Sequence, residues 1–242
     1  MSPLGDTAVI LEAGKDINEE THRRVHALSS YLEENPFPGL IEIVPAFTTV
    51  TIYYDPAVIC NAPTVATQRN GAGSRPAPYQ MVCSYLSQAC NRLGRIGTYQ
   101  PRTVEIPVCY GGEWGPDLTE VAHQNSLTPD EVVEIHTQPD YLVYMIGFAP
   151  GFPYLGGLSE QISTPRKSSP RLSIPAGSVG IAGSQTGIYP ISTPGGWQII
   201  GRTPLALFRP VENPPSLLQA GDMVRFRAIS PEEFKNWKGE TA

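Results

Sequence analysis

The chain has 242 residues, 40% of them hydrophobic and 17% charged, with a formal net charge of −6. That length suits one large domain or two modest ones, with enough apolar residues for a packed core. The negative balance excludes a non-specific nucleic-acid surface, because phosphate binding needs a clustered positive field. Met1-Ser2-Pro3-Leu4-Gly5-Asp6 lacks the basic start and apolar core of a signal peptide. Pro, Gly or a charge interrupts every apolar run before it could cross a bilayer. The four cysteines (Cys60, Cys83, Cys90, Cys109) form no CxxC pair and no ligand spacing with His. They read as free thiols of a soluble, cytoplasmic chain with no metal site.

In chain order, Asp6–Glu12 reads as an apolar strand, and Asp16 with Glu19 three residues on resembles a capping box. Ile17, Thr21, Val25, Leu28 and Leu32 recur at helical spacing, and the helix should stop before Asn35-Pro36. Two strands follow, Leu40–Val44 and Thr48–Tyr54, the second with Val50, Ile52 and Tyr54 on one face. Pro56–Pro78 reads as a connection, and Val82, Tyr85, Leu86, Ala89 and Leu93 mark a second helix. Thr103–Val108 completes a β-α-β-β-α-β order, that of a ferredoxin-like α/β sandwich. Two short helices come next, one near Pro116–Glu120 and one opened by Thr128-Pro129-Asp130-Glu131. Tyr141–Phe148 is an apolar strand. Short strands punctuated by Gly and Pro then run to Val224–Ile229, as in a small closed or sandwiched β domain. The fold class is therefore α+β, with domains expected at 1–100 and 101–230 and a tail at 231–242.

Self-contained catalytic signatures are missing. There is no Walker A sequence, and Gly177–Gly183 has the wrong glycine spacing for a dinucleotide turn. Gly183-Ser184-Gln185-Thr186-Gly187 is laid out like a nucleophile elbow but centres on Gln185. His22 and His26, four apart, lack an acidic third ligand and read as a solvated helix face. His136 reads as a helix-end histidine held by the dipole, ahead of a general-base role. No catalytic residue can be assigned.

The stretch Tyr141–Phe208 carries the chemical signal. Gly147–Gly157 mixes aromatics with rigid Pro and permissive Gly, which gives a loop a defined path along which rings can line a cleft. Arg166, Arg171, Arg202 and Arg209 follow, together with Gln185, Tyr189 and Trp197. Arginine offers a forked donor to carboxylate or phosphate, while Tyr, Gln and Trp add polar tips to large surfaces. The set suits a pocket for a small anionic or amide-bearing ligand, although Phe148 and Trp197, judged singly, fit core packing better.

The residues Tyr110-Gly111-Gly112, Gly115-Pro116-Asp117-Leu118 and Gly147–Leu155 form the first part of a recognisable pattern. Thr164-Pro165-Arg166, Pro170-Arg171, Pro175–Val179, Gln185–Pro190 and Pro194–Pro204 complete it. The chain thereby resembles the KipI/PxpB family, also described as the allophanate hydrolase subunit 1 domain. The resemblance implies a cyclophilin-like β-barrel for the C-terminal domain. It also implies service as the B subunit of an ATP-dependent 5-oxoprolinase, beside subunits A and C, opening 5-oxo-L-proline to L-glutamate. ATP would then bind at a site shared with the partner subunits, and the chain would be inactive alone. A branch of the family inhibits a sporulation histidine kinase, which makes a kinase the alternative partner. On this basis Arg166, Arg171 and Arg202 are expected to hold carboxylate or phosphate oxygens. Gln185 and Tyr189 would read the lactam amide, with Phe152, Tyr154 and Trp197 as the cleft wall. Ser184, where many relatives have glycine, and the long Pro56–Pro78 connection depart from the family pattern.

Overall fold

The computed structural model describes residues 1–61, 76–93 and 101–237, which fall into two units, Met1–Gln100 and Pro101–Ala242. In the first, β1 (Ser2–Leu4), β2 (Ala8–Glu12), β3 (Leu40–Pro45) and β4 (Thr49–Tyr54) form an antiparallel sheet in the order β1-β2-β4-β3. Alternation decides its buried face: Val50, Ile52 and Tyr54 point inward from β4. Helix α1 (Glu19–Glu34) adds Val25, Leu28 and Leu32 to the same core at spacings of three and four. A short helix, α2 (Pro56–Asn61), starts where the Asp55 carboxylate accepts from the amides of Ala57 and Val58. Helix α3 (Pro78–Leu93) closes the core with Met81, Val82, Leu86 and Ala89. The rest of the expected Pro56–Pro78 connection, residues 62–75, lies outside the described residues.

Two local expectations do not hold in the fold. The α1 cap is Asn18, whose side chain accepts from the Thr21 amide at 2.8 Å, so the Asp16–Glu19 pair is not the capping box. Thr103–Val108 is not the closing strand of this sheet. The position beside β2 belongs to β1, a segment with too few apolar residues to announce itself.

The second unit contains β5 (Thr103–Tyr110), α4 (Leu118–Gln124), α5 (Pro129–Thr137), β6 (Asp140–Ile146), β7 (Pro153–Gly156) and β8 (Arg171–Ile174). It continues with β9 (Ser178–Ala182), β10 (Gln185–Ile188), β11 (Thr193–Gly195), β12 (Gln198–Arg202), β13 (Met223–Ala228) and α6 (Pro231–Lys235). Seven of these strands close into a barrel in the order β10-β7-β6-β13-β5-β12-β9. Closure leaves no unpaired strand edge in the ring. All its pairings are antiparallel except β5 with β13, which run parallel from Thr103–Met223 to Val108–Ala228. Ile106 and Val108 of β5 meet Tyr141, Val143, Val224 and Phe226 inside, while Arg225 and Arg227 point out to Asp140 and Glu105.

Helix α5 starts as its sequence requires. Thr128 accepts from the Glu131 amide, Glu131 accepts from the Thr128 amide, and Pro129 stands in the first turn. Val121, Ala122 and Val132 carry α4 and α5 onto the barrel core. Helix α6 uses a second capping box on Ser230 and sets Phe234 against Trp114, ring centres 5.5 Å apart. Among the described residues no helix is long and apolar enough to cross a membrane.

Phe226 is buried against His136 and Tyr141, at 4.5 and 5.3 Å between ring centres. Phe226→Ala is therefore expected to cost about 3–5 kcal/mol, whereas Thr128→Ala, which removes only a cap, should cost about 1 kcal/mol. Urea unfolding of the two variants beside the parent checks both.

Candidate functional site

The β6–β7 connection builds the aromatic part of the site. Its turn closes with the Gly147 amide on Phe152 O and the Phe152 amide on Ala149 O, both at 3.0 Å. Gly151 supplies a positive φ of 78°, but Phe148, a bulky residue, also sits at φ 68° and is 70% exposed. Such a conformation is rare for an aromatic residue and persists only where the surroundings impose it. The Phe148 ring meets the buried ring of Phe152 edge-on, with centres 5.5 Å apart. Phe152 in turn makes edge contacts with Tyr154 (5.2 Å), Tyr189 (5.6 Å) and Trp197 (5.7 Å).

Phe152, Tyr189 and Trp197 are buried and join Ile174, Ala182 and Ile199 in a cluster separate from the barrel interior; Tyr154 packs half-buried at its side. The four aromatic residues expected at the cleft thus come together, packed ring against ring. Burial pushes the Tyr189 phenol up to about 12, against a backbone contact with Trp197 and the charges of Arg166 and Arg171. It is a neutral O–H group at pH 7.

The arginines divide. Arg171 gives both arms of its fork to Asp117, at 2.8 Å each, and Lys167 adds a third bond at 3.0 Å. The amide of Ile199 gives a fourth, at 2.7 Å. Burial alone would raise the Asp117 carboxyl; the bonds from Arg171, Ile199 and Lys167 outweigh it and hold the group below its ordinary range. Arg171 is thus committed within the protein. Arg166 is exposed, and among the described residues it and Arg202 have no carboxylate partner. Arg202 is half-buried, with Nε donating to Ala176 O at 2.8 Å. Gln185 opens β10, half-buried opposite Ala182. No hydrogen bond or ring contact joins Gln185 or Arg202 to the aromatic group among the described residues.

Residues 1–218 match the family described as carboxyltransferase domain, subdomain C and D. A Bacillus subtilis protein named as the B subunit of 5-oxoprolinase is 55% identical over 238 residues, covering 98% of this chain and 96% of its own. The chain belongs to the family of 5-oxoprolinase B subunits. An Escherichia coli O157:H7 relative of the same name is 41% identical, over 92% of this chain and 93% of its own. The crystal structure of TTHA0988 superposes with a TM-score of 0.75 at 34% identity over 97% of this chain. This chain spans only 41% of that longer one.

Three polar features of this family member were not legible in its sequence. Asp117 looked like part of a helix start, yet it makes no side-chain cap bond, because its carboxylate is spent on Arg171, Lys167 and Ile199. His22 is buried, not on a solvated face, and burial foremost, then His26, lowers it to about 4 against the pull of Glu19. Among the described residues no group of His, Cys, Asp or Glu could hold a metal ion.

His136 is the third. It is fully buried in the barrel, so the charged, dipole-held helix-end histidine is corrected to a neutral core residue, lowered by burial to about 3. Proton accounting sets its tautomer. The single Thr186 hydroxyl proton goes to Gly180 O at 3.1 Å, so Nε2–H of His136 must donate to Thr186 Oγ1 at 2.9 Å. Nδ1 is then the acceptor for the Tyr110 hydroxyl at 2.8 Å. Tyr141 completes the fixing of this helix end by donating to His136 O.

A folded value near 3 against 6.5 means that, as pH falls, the unfolded chain takes the proton first. Stability is therefore present above the unfolded value and lost as pH drops through the interval down to about 3. Replacing His136 by Gln should flatten the pH slope of barrel stability between about pH 6 and pH 4 by up to one proton, about 1.4 kcal/mol per pH unit. Urea midpoints measured across that range decide it, and imidazole ¹⁵N shifts report the Nε2–H tautomer directly.

Proposed function

We propose that this chain is the B subunit of an ATP-dependent 5-oxoprolinase, inactive alone and joined by subunits A and C in opening 5-oxo-L-proline to L-glutamate. The observation that carries this reading is the nearly end-to-end match to proteins named as 5-oxoprolinase B subunits. The site chemistry is compatible with it. The substrate has a carboxylate and a lactam amide, and Arg166 and Arg202 are cations with no carboxylate partner among the described residues. Tyr189, held neutral, is an O–H donor, and Gln185 offers both an amide donor and an acceptor. Phe152, Tyr154 and Trp197 supply an apolar wall. Arg171 acts at one remove, as the cation that fixes Asp117 and the loop around it.

A lactam carbonyl is a poor electrophile, and ATP would supply activation by phosphoryl transfer, a reaction governed by positioning and charge stabilisation. The fit of this chain to a nucleotide is partial. Glycine-rich loops that open a helix cradle phosphates with backbone amides. Gly177–Gly183 is no such loop, because Ser178–Ala182 is the barrel strand β9. Arg166 and Arg202 are suited to adding charge at a site completed by another polypeptide. We further read the barrel as cyclophilin-like. The first unit we read as a ferredoxin-like sandwich in which β1 stands where the last strand would be.

Co-expression with candidate subunits A and C should yield a complex that releases glutamate from 5-oxoproline only with ATP. In it, Arg202→Ala should lower coupled turnover by about 100-fold or more, while Arg23→Ala on the solvent side of α1 should not. Full turnover without this chain would remove the proposal, and full turnover in Arg202→Ala would remove the residue assignment.

A further inference from the structure

The aromatic cluster is covered by an element that the barrel does not need. Among the described residues, strands β8 and β11 pair only with each other, outside the closed ring. Their inner side is apolar and close-fitting. Ile174 is fully buried in the cluster, and a Cβ added at Gly195 would lie 2.5 Å from the Tyr189 hydroxyl and 2.7 Å from Ile174. Their outer side faces solvent, with Leu172 92% exposed.

The joints are confined to short proline and glycine stretches. Pro170 precedes β8, and Pro175-Ala176-Gly177 follows it, with Gly177 at φ 83°. Arg202 holds Ala176 O from the barrel side, and the Lys167 amide holds Gly196 O at 2.7 Å. A forked ion pair ties the strand pair to the barrel: Arg171 at the start of β8 grips Asp117. Asp117 is itself anchored on β12 through both its carboxylate and its amide, which bond Ile199. Within β11 the Thr193 hydroxyl is buried with no hydrogen-bond partner among the described residues, a group that outward movement would return to water.

We propose that β8 and β11 form a lid over the Phe152–Tyr189–Trp197 cluster, latched by Asp117 and Arg171, which swings outward to admit ligand. This deepens the ligand reading of the same face and rests on it: the rings that now fill the space become cleft walls only when the lid lifts. The motion is local, leaving the seven-stranded ring intact, and its hinges are the stretches that flank each strand: Pro170 and Pro175-Ala176-Gly177 around β8, Pro190-Ile191-Ser192 and Gly196 around β11.

Hydrogen exchange on the full chain, read by mass spectrometry, tests the lid without any assumption about substrate. Peptides covering β8 and β11 should exchange about tenfold or more faster than β9 and β13. Asp117→Asn should accelerate the lid peptides by a further factor of about ten and leave β9 and β13 unchanged. Gly195→Ala, which wedges the lid while keeping the latch, should act in the same direction; if Asp117→Asn fails to fold, this variant decides alone. In a Trp114→Phe, Trp237→Phe background, both variants should increase acrylamide quenching of Trp197. Lid strands that exchange with the barrel strands, or variants that speed all strands together, would overturn the lid. Adding 5-oxoproline to the reconstituted complex then tests the ligand separately: unchanged lid exchange there, with the local motion intact, removes the substrate reading and leaves the lid.

Discussion

Asp117 is a carboxylate almost withdrawn from solvent, and its surroundings are arranged around that fact. A buried charge carries a desolvation penalty of several kcal/mol unless close partners compensate it. Here two cations and a backbone amide do so, and those partners come from three separate stretches: the loop at Lys167, strand β8 and strand β12. The approach of Asp117 to β12 depends in turn on Gly115, where a Cβ would collide with the Ile200 carbonyl. Gly-Pro-Asp is therefore a tertiary joint as much as a helix start. Losing the acid would strand Arg171 and Lys167 together without their shared counter-charge, whereas losing Lys167 alone would leave the forked pair in place.

The aromatic face is a small core in its own right, set apart from the barrel interior. Phe152, Tyr189 and Trp197 bury each other in edge-to-face contacts, a geometry that suits ring quadrupoles and adds to simple area burial. Phe148 and Leu172 remain outside, exposed on the loop and on the strand pair that flank this cluster. The cations nearby are graded by their internal commitments: Arg171 is fully engaged, Arg202 uses one nitrogen, and Arg166 is exposed.

Much of the architecture was legible because it rests on periodicity. Val50, Ile52 and Tyr54 mark a face by alternation, Val25, Leu28 and Leu32 mark one by helical spacing, and Thr128-Pro129-Asp130-Glu131 states its own cap. What was not legible depends on partners far along the chain. Thr103–Val108 reads as a strand in any context, but only its pairing with Met223–Ala228 says to which sheet it belongs. His22 and His136 sit among polar neighbours in sequence and yet are buried, each on the inward-packed side of its helix, and His136 is satisfied there by Tyr110 and Thr186. That Phe152, Tyr154, Tyr189 and Trp197 would come together could be anticipated from composition and motif. The division of labour among the arginines could not, because it turns on the position of one acid, Asp117, some fifty residues away from Arg171.

The place of β13 has a consequence for how the protein is made. That strand lies between β5 and β6 in the ring, although it is the last of the barrel strands to leave the ribosome. Until Met223–Ala228 emerge, β5 and β6 face a gap with open hydrogen-bonding edges and an uncovered apolar interior. The first unit can settle during synthesis, but the barrel stays a vulnerable open sheet until its final strand arrives, the stage at which a chaperone or a waiting partner would do most to protect it.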